Sequence, residues 1–145
     1  MAKRGFTIIE MGVVLGIITL ISLITFPLLL NYQKTTKLKN ESRLLATNLR
    51  LAQQLAITEQ NIYQLKLFPL SESYQIINSK TSEIIKEVDL DSEVSIKEIN
   101  GFADSTVNFN AIGGVTEIGS IILTNTKNEI STLEVKPSGY VEIID

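Results

Sequence analysis

The sequence contains no cysteine and no histidine among its 145 residues. Without cysteine, the chain can form neither a disulfide nor a thiolate metal site. Without histidine, it lacks the commonest general base and the commonest metal ligand of proteins. The remaining polar residues show no convergent acid pair or other catalytic arrangement. We therefore expect a protein that is not an enzyme and that needs no cofactor.

Basic residues are also in the minority. The chain has 13 Lys and Arg against 16 Asp and Glu, and setting aside Lys3, Arg4 and Glu10 leaves residues 31–145 with a net charge of −4. Tight binding to a phosphate backbone requires clustered Lys and Arg. This composition argues against DNA as a partner. The length suffices for one domain plus an anchor.

One long segment, residues 11–30, carries no charge at all. A helix of about 20 residues spans about 30 Å, which is the thickness of the hydrocarbon core of a bilayer. Lys3 and Arg4 precede the segment, and the next basic residue is Lys34. Short basic ends stay in the cytoplasm. The sequence thus predicts a single-pass anchor in the cytoplasmic membrane, with the N-terminus cytoplasmic and the C-terminal domain periplasmic or extracellular.

Glu10 stands at the start of this apolar segment, directly after Phe6-Thr7-Ile8-Ile9. An acid at the centre of a membrane helix costs about 2.5–3.5 kcal/mol on insertion scales, and less near the interface. An acid placed at such a cost is a functional candidate. Its role depends on which cation neutralises the carboxylate.

The stretch Gly5-Phe6-Thr7-Ile8-Ile9-Glu10 resembles the processing site of type IV prepilins and type II secretion pseudopilins. The resemblance includes the short basic leader, the long apolar segment and Pro27. It implies that a prepilin peptidase cleaves after Gly5, so that residues 1–5 are a leader, and N-methylates Phe6. Met11-Gly12 replaces the bulky aliphatic residues usual there, and the disulfide of many pilins is absent.

Charge gives Glu10 a role within this resemblance. Cleavage after Gly5 would create an amine on Phe6, one helical turn from Glu10. That amine, or the amine of a neighbouring subunit, would neutralise the acid and remove the cost of burying it. We therefore expect assembly and methylation to depend on Glu10. Pro27 has no N–H and clashes with the carbonyl one turn earlier, so we expect a helix kink there.

Two simpler interpretations of the N-terminus remain open. A secretory signal peptide has a shorter apolar core and a small-residue cleavage site, which Asn31-Tyr32-Gln33-Lys34 does not supply. A plain single-span anchor explains the length of the segment but not Gly5-Phe6 or Glu10. Gly12 and Gly16 have a spacing that permits close helix contact, although glycine is common in membrane helices.

Residues 31–61 predict an amphipathic helix that continues from the transmembrane and assembly helix, residues 6–30. Neither Gly nor Pro interrupts residues 31–60, and we expect the helix to end at Asn61. Five apolar residues recur at helical spacing and form one face: Leu38, Leu45, Leu49, Ala52 and Ala56. Four polar residues fall largely off this face: Lys37, Glu41, Asn48 and Glu59.

Residues 62–145 predict a β-rich globular domain. Alternation and turn residues indicate strands over residues 63–67, 74–77, 84–90, 94–99, 107–109, 120–124, 132–135 and 140–143. Residues 120–124 form a nearly continuous apolar strand around Ile121-Ile122-Leu123, so we expect cover on both faces. The last two strands form a hairpin around Pro137-Ser138-Gly139. The predicted fold class is α+β, a long N-terminal helix packed on a C-terminal antiparallel sheet, as in pilins.

Asp89, Asp91 and Glu93 form a short acidic stretch in this domain. Carboxylates of this kind can bind calcium. The spacing of an EF-hand and its glycine are absent. A solvated loop or strand edge is therefore the favoured interpretation, and we assign no metal site.

The C-terminal pattern carries a second resemblance. Phe109, Gly113-Gly114 and Ser138-Gly139, with the strands between them, resemble the globular domain of H-type minor pseudopilins and FimT-like minor pilins. This implies a subunit of a type II secretion pseudopilus or a type IV pilus, with other pilins and the inner-membrane assembly platform as partners besides the prepilin peptidase/methyltransferase. Three alternatives stay open: a major pilin, a DNA-uptake minor pilin, and a membrane-anchored binding domain unrelated to filaments.

Overall fold

The computed structural model describes Gly5 and residues 7–144, and for residues 26–31 it describes the backbone alone. Helix α1 runs from Ile8 to Thr58. By its internal contacts the chain divides into two units, Met1–Gln33 and Lys34–Asp145. The first unit contains the apolar part of α1, and the second contains the remainder of α1 and all the strands.

In the described part of the chain, eight strands follow the helix. Each lies where the sequence predicts one, with its ends displaced by at most about two residues. They are β1 (Tyr63–Phe68), β2 (Ser73–Asn78), β3 (Ile84–Asp89), β4 (Val94–Asn100), β5 (Thr106–Phe109), β6 (Gly119–Asn125), β7 (Ile130–Val135) and β8 (Val141–Ile144). A short 3₁₀ turn, Ala103–Ser105, precedes β5.

The strands form two four-stranded sheets. Sheet A has the order β3-β2-β1-β5, and sheet B has the order β4-β6-β7-β8. Every pairing is antiparallel. The predicted hairpin is present, because Val135 of β7 pairs with Val141 of β8. The α+β class with a long N-terminal helix and an antiparallel sheet domain is therefore confirmed.

One hydrophobic core joins the second half of α1 to both sheets. The predicted apolar face is buried at all five positions: Leu38, Leu45, Leu49, Ala52 and Ala56. Strand side chains of alternate residues complete the core, among them Leu65, Ile76, Phe109, Ile121 and Leu133. Burying a leucine or isoleucine side chain stabilises the fold by about 1.5–3 kcal/mol.

The helix ends three residues before the predicted stop at Asn61. Its last helical residue is Thr58, and Gln60 takes the left-handed conformation at φ 50°. A residue in this conformation commonly follows the last turn of a helix, and it is usually glycine. The Gln60 amide donates to the carbonyl of Ile57 at 2.7 Å, which satisfies one of the free carbonyls of the last turn.

Two expectations about side-chain environment were wrong. Asn48 is buried, although the helical pattern places it off the apolar face. It donates to the Tyr74 hydroxyl at 2.7 Å and accepts from Lys86 Nζ at 2.9 Å, and these bonds offset its burial. Strand β6 is covered fully on one face only: its inward residues are buried, whereas Ile122 is half-buried and faces outward.

Candidate functional site

The first turn of α1 is closed by a reciprocal pair of side chains. The Thr7 hydroxyl accepts from the Glu10 backbone N–H at 3.3 Å. In return, the Glu10 carboxylate accepts from the Thr7 backbone N–H and the Thr7 hydroxyl, both at 2.8 Å. This arrangement is a capping box, which satisfies backbone donors that a helix start otherwise leaves free. The carboxylate also lies at the positive end of the helix dipole.

Sequence reasoning missed Thr7 as a site residue. The signal was present, because a Thr-x-x-Glu motif directly before an apolar run is typical of a capping box. Glu10 is thus partnered within its own turn while residues 1–5 are attached. Phe6, the predicted site of N-methylation, lies outside the described residues, so its position relative to Glu10 stays a prediction.

Gly5 is exposed, and its surroundings are open. A Cβ atom built at Gly5 would meet no described atom within 4 Å, and the backbone there has no positive φ. Neither packing nor backbone conformation in the described part of the chain requires glycine at this position. A requirement for glycine at position 5 would therefore have to come from a partner that binds the segment.

The apolar part of α1 has the length and composition of a membrane-crossing helix over Ile8–Thr25, 18 residues of which none is buried. Three hydroxyls in this segment bond the carbonyl one turn earlier: Thr19 to Leu15 at 2.8 Å, Ser22 to Ile18 at 2.8 Å, and Thr25 to Ile21 at 3.0 Å. Such bonds keep the polar atoms satisfied where no water is present.

Of two further predicted features of this segment, the structure places one. Gly12 and Gly16 both face open space, so the surface they form on the helix is free for a neighbour to approach. The side chain of Pro27 lies outside the described residues, and α1 is helical through that position. The helix kink predicted at Pro27 stays a prediction.

Asp91 and Glu93 of the acidic stretch pair with lysines of α1, whereas Asp89 is the last residue of β3. Asp91 bonds Lys37 Nζ at 2.9 Å. Glu93 lies 3.3 Å from Lys34 Nζ and accepts from the Thr126 hydroxyl at 2.6 Å. The backbone N–H of Glu93, together with Lys37, lowers the pKa of Asp91. Among the described residues, no group of three or more acidic side chains is arranged to hold a metal ion.

The glycines of the second resemblance meet at one side chain of α1. The Gln53 amide donates to the carbonyls of Gly113 at 2.8 Å and Ser138 at 2.9 Å. Gly139 has φ 76°, and a Cβ there would collide with the Gly113 carbonyl. Glycine at position 139 therefore allows two loops to approach each other against the helix. Nothing in the sequence pattern identified Gln53 as the residue that joins them.

Searches against family models and curated protein sequences find no match for this chain. Among solved structures, the minor pseudopilin EpsH from the type 2 secretion system of Vibrio cholerae matches with a TM-score of 0.61 and 12% identity, over 74% of this chain and 96% of that chain. The type IV minor pilin FimU of Pseudomonas aeruginosa matches with a TM-score of 0.62 and 10% identity, over 79% of this chain and 92% of that chain. At these identities the likeness shows a shared, pilin-like fold.

Proposed function

We propose that the chain is a minor pseudopilin or minor pilin, a membrane-inserted precursor that is processed after Gly5 and then assembles into a helical filament. The observation that carries the proposal is the order of features at the N-terminus of a pilin-like fold. An open glycine, a capping box that holds an acid, and an exposed apolar helix follow one another directly.

Processing would act on the segment around Gly5. Hydrolysis of the Gly5–Phe6 bond would release residues 1–5 and leave an amine on Phe6, which the same enzyme would then methylate. The exposure of Gly5 and the open space around it fit a segment that must enter a peptidase site. A larger side chain would obstruct that site while leaving the described fold unchanged.

Assembly would use residues 6–30. Among helices in lipid, close packing and polar pairing drive association, because the lipid tails are themselves apolar. The open glycine surface at Gly12 and Gly16 allows close approach. The Phe6 amine of the same or a neighbouring subunit would neutralise Glu10 and remove the cost of a charge in the membrane.

The basic end at Lys3 and Arg4 supports a cytoplasmic N-terminus and a sheet domain outside the cytoplasmic membrane. In this orientation the subunit would meet the prepilin peptidase, the inner-membrane assembly platform and other pilins. The two similar structures come from a secretion system and from a pilus. We accordingly propose a structural subunit of a type II secretion pseudopilus or of a type IV pilus. The C-terminal pattern of this chain fits the H-type or FimT-like group of such subunits.

The proposal is tested by the intact mass of the protein from membranes that contain a prepilin peptidase. We expect loss of residues 1–5 and gain of one methyl group, about 14 Da. Gly5→Val should keep the leader. Gly12→Val is the matched control, since Gly12 also faces open space, and it should be processed normally. A mature mass that includes residues 1–5 would contradict the proposal and favour a simple anchored domain.

A further inference from the structure

The exposed side of the second half of α1 is basic. Residues 39–58 contain Lys39, Arg43 and Arg50, and their only acid is Glu41. Glu41 accepts from the backbone N–H of Asp91, so its carboxylate faces the loop before β4. Arg43 is exposed, and its neighbour Leu44 is exposed by 38%. Together with exposed Thr47, one turn further along, these residues form a surface that we call the helix stripe: Arg43, Leu44 and Thr47.

The outer face of sheet B carries an excess of acid. Glu134 of β7 pairs directly with Glu142 of β8, so the two side chains share a face. Like charges at opposed positions are destabilising. Lys136 lies between them, 2.7 Å from Glu134 and 3.3 Å from Glu142. One lysine for two carboxylates leaves a negative charge on this face.

A groove of about 470 Å³ opens on the same face. Ser120, Thr132, Glu134 and Lys136 line it, and Ile118 and Ile144 supply apolar walls. Both isoleucines are exposed, at 61% and 50%. The groove thus combines two exposed apolar side chains with the Glu134–Lys136 ion pair, and Glu142 beside it leaves one carboxylate in excess. A ligand that fits it would carry an apolar side chain beside a cation.

The helix stripe has this composition. Leu44 is an exposed apolar residue, and the guanidinium of Arg43 next to it can bond carboxylates in a bidentate manner. The stripe and the groove lie on different elements of the same domain. A contact between them would therefore join copies head to tail, and repeated head-to-tail contacts build open helical filaments.

We propose that the helix stripe of one subunit docks in the sheet B groove of a second copy of this chain, with Leu44 between Ile118 and Ile144 and Arg43 bonded to Glu134 and Glu142. The inference rests on the proposed function, because it describes a contact within the filament. It adds an interface between globular domains, which is separate from the apolar segment.

Cysteine cross-linking can test this contact, because the chain has no cysteine of its own. One copy carries Thr47→Cys and the other carries Ser120→Cys, which lines the groove but is not one of its apolar walls. Both changes are made in the full chain, co-expressed with a prepilin peptidase. We expect disulfide-linked dimers on oxidation. The matched control pairs Thr47→Cys with Leu70→Cys, a fully exposed turn residue outside the groove, and should give no dimer. Equal dimer yields from the two pairs would overturn the proposal.

A charge swap then tests the predicted ion pair. Arg43→Glu on the Thr47→Cys copy should reduce the dimer by about tenfold, because it sets like charges against each other. Glu142→Lys on the Ser120→Cys copy should do the same. The two changes together should restore the dimer, and this recovery would also show that both variants fold. Unchanged dimer in the single variants, or no recovery in the combination, would overturn the proposal.

The mass of each monomer separates this inference from the proposed function. Processed protein that sediments as filaments without giving the cross-link overturns the docking contact alone. Protein that retains residues 1–5 contradicts the proposed function, and the docking contact with it.

Discussion

Glu10 would have two tasks at the start of α1. In the described chain its carboxylate closes the first helical turn onto Thr7. In the proposed filament it would also compensate the amine that cleavage creates on Phe6. The first task needs a hydrogen-bond acceptor, and the second needs a negative charge. Glutamine retains the acceptor and removes the charge, so the two tasks can be separated by a single substitution.

We predict that Glu10→Gln inserts normally, because an uncharged side chain costs less in a membrane helix, but fails to be methylated or to enter filaments. Glu10→Val should behave alike. Thr7→Ala should assemble, because it keeps the charge and loses only a helix cap, at about 1 kcal/mol. Intact mass and the sedimentable fraction measure these outcomes. Normal incorporation of Glu10→Gln into filaments would show that assembly depends on the helix cap and not on the negative charge.

Asn48 of α1 bonds two residues of sheet A, the hydroxyl of Tyr74 and the ammonium group of Lys86. Burial of the Tyr74 side chain is the main cause that raises the pKa of its hydroxyl, to about 12. Because the folded-state pKa lies above the ordinary value of about 10, folding favours the neutral phenol. The contribution of the Tyr74 hydroxyl to the free energy of unfolding is fully present below a pH of about 10. It is lost as the pH rises through the folded-state pKa.

We predict that Asn48→Ala destabilises the domain by about 1–3 kcal/mol, since it leaves the Tyr74 hydroxyl and Lys86 without their buried partner. Tyr74→Phe, which removes only the hydroxyl, should cost less and should abolish the loss of stability near pH 12 that Tyr74 causes. Denaturant unfolding of the full chain in detergent gives both values. Equal stabilities for wild type and Asn48→Ala would remove Asn48 from this structural role.

At the scale of elements, the part of α1 that follows residue 33 is fastened to two loops by polar side chains. Lys37 bonds Asp91, and Lys34 pairs with Glu93. Thr35 donates to Glu129 at 2.8 Å, and this bond is the main cause that lowers the pKa of Glu129. The Thr126 hydroxyl, followed by Lys34, lowers the pKa of Glu93. We call the contacts of Asp91, Glu93 and Glu129 with α1 the helix clasp.

We predict that acid weakens the helix clasp. Carboxylates with lowered pKa values stabilise the fold above their unfolded-state pKa, and this contribution is lost as the pH falls through the folded-state values. Glu41 acts in the opposite sense, because burial is the main cause that raises its pKa. Hydrogen exchange of residues 34–41 between neutral pH and about pH 3 should show faster local opening in acid. In Lys37→Gln, which lacks the cation, residues 34–41 should exchange faster already at neutral pH. Identical exchange in this variant and the wild type would exclude the helix clasp.

The elements themselves could largely be read from the sequence. Alternation and turn residues located the strands, and the alternation is clearest where one face of a strand lies on the core, as in β1. The end of α1 could not be located, because Gln60 takes a conformation that glycine usually supplies. The outward half of β6 was misjudged, because Ile122 gives the same hydrophobic signal as its buried neighbours while it lies half-exposed.

An edge strand shows how charge placement protects an element. All but one residue of β3 is exposed, including the two isoleucines at its start, Ile84 and Ile85. Antiparallel pairing of two identical edges about a two-fold axis keeps equivalent faces together. An axis through Lys86 would place Lys86 opposite Lys86, and an axis through Glu87 would place Glu87 opposite Glu87, where like charges disfavour pairing. The charged residues of β3 thus hinder self-association through this edge in these two registers.

At the scale of the whole molecule, the candidate site was less accessible from the sequence than the fold. The apolar segment and Glu10 stood out because charge and hydropathy change abruptly there. The groove on sheet B did not stand out in the sequence, because Ile118, Glu134 and Ile144 are brought together only by the pairing of three strands. Surfaces of this kind depend on strand register, which the pattern of a single strand does not contain.

Gln53 and Arg50 connect the part of the domain that is synthesised first to the part that is synthesised last. The Gln53 amide bonds the carbonyl of Ser138, 85 residues away, and Arg50 bonds the carbonyl of Val141, 91 residues away. Contacts of such sequence separation are slow to form, because the long loop between the two residues must close first. In the proposed orientation the part of α1 after residue 33 crosses the membrane before β8 does. The domain would then close only once β8 has crossed, so a chain terminated before β8 would remain open and distinguishable from a finished subunit.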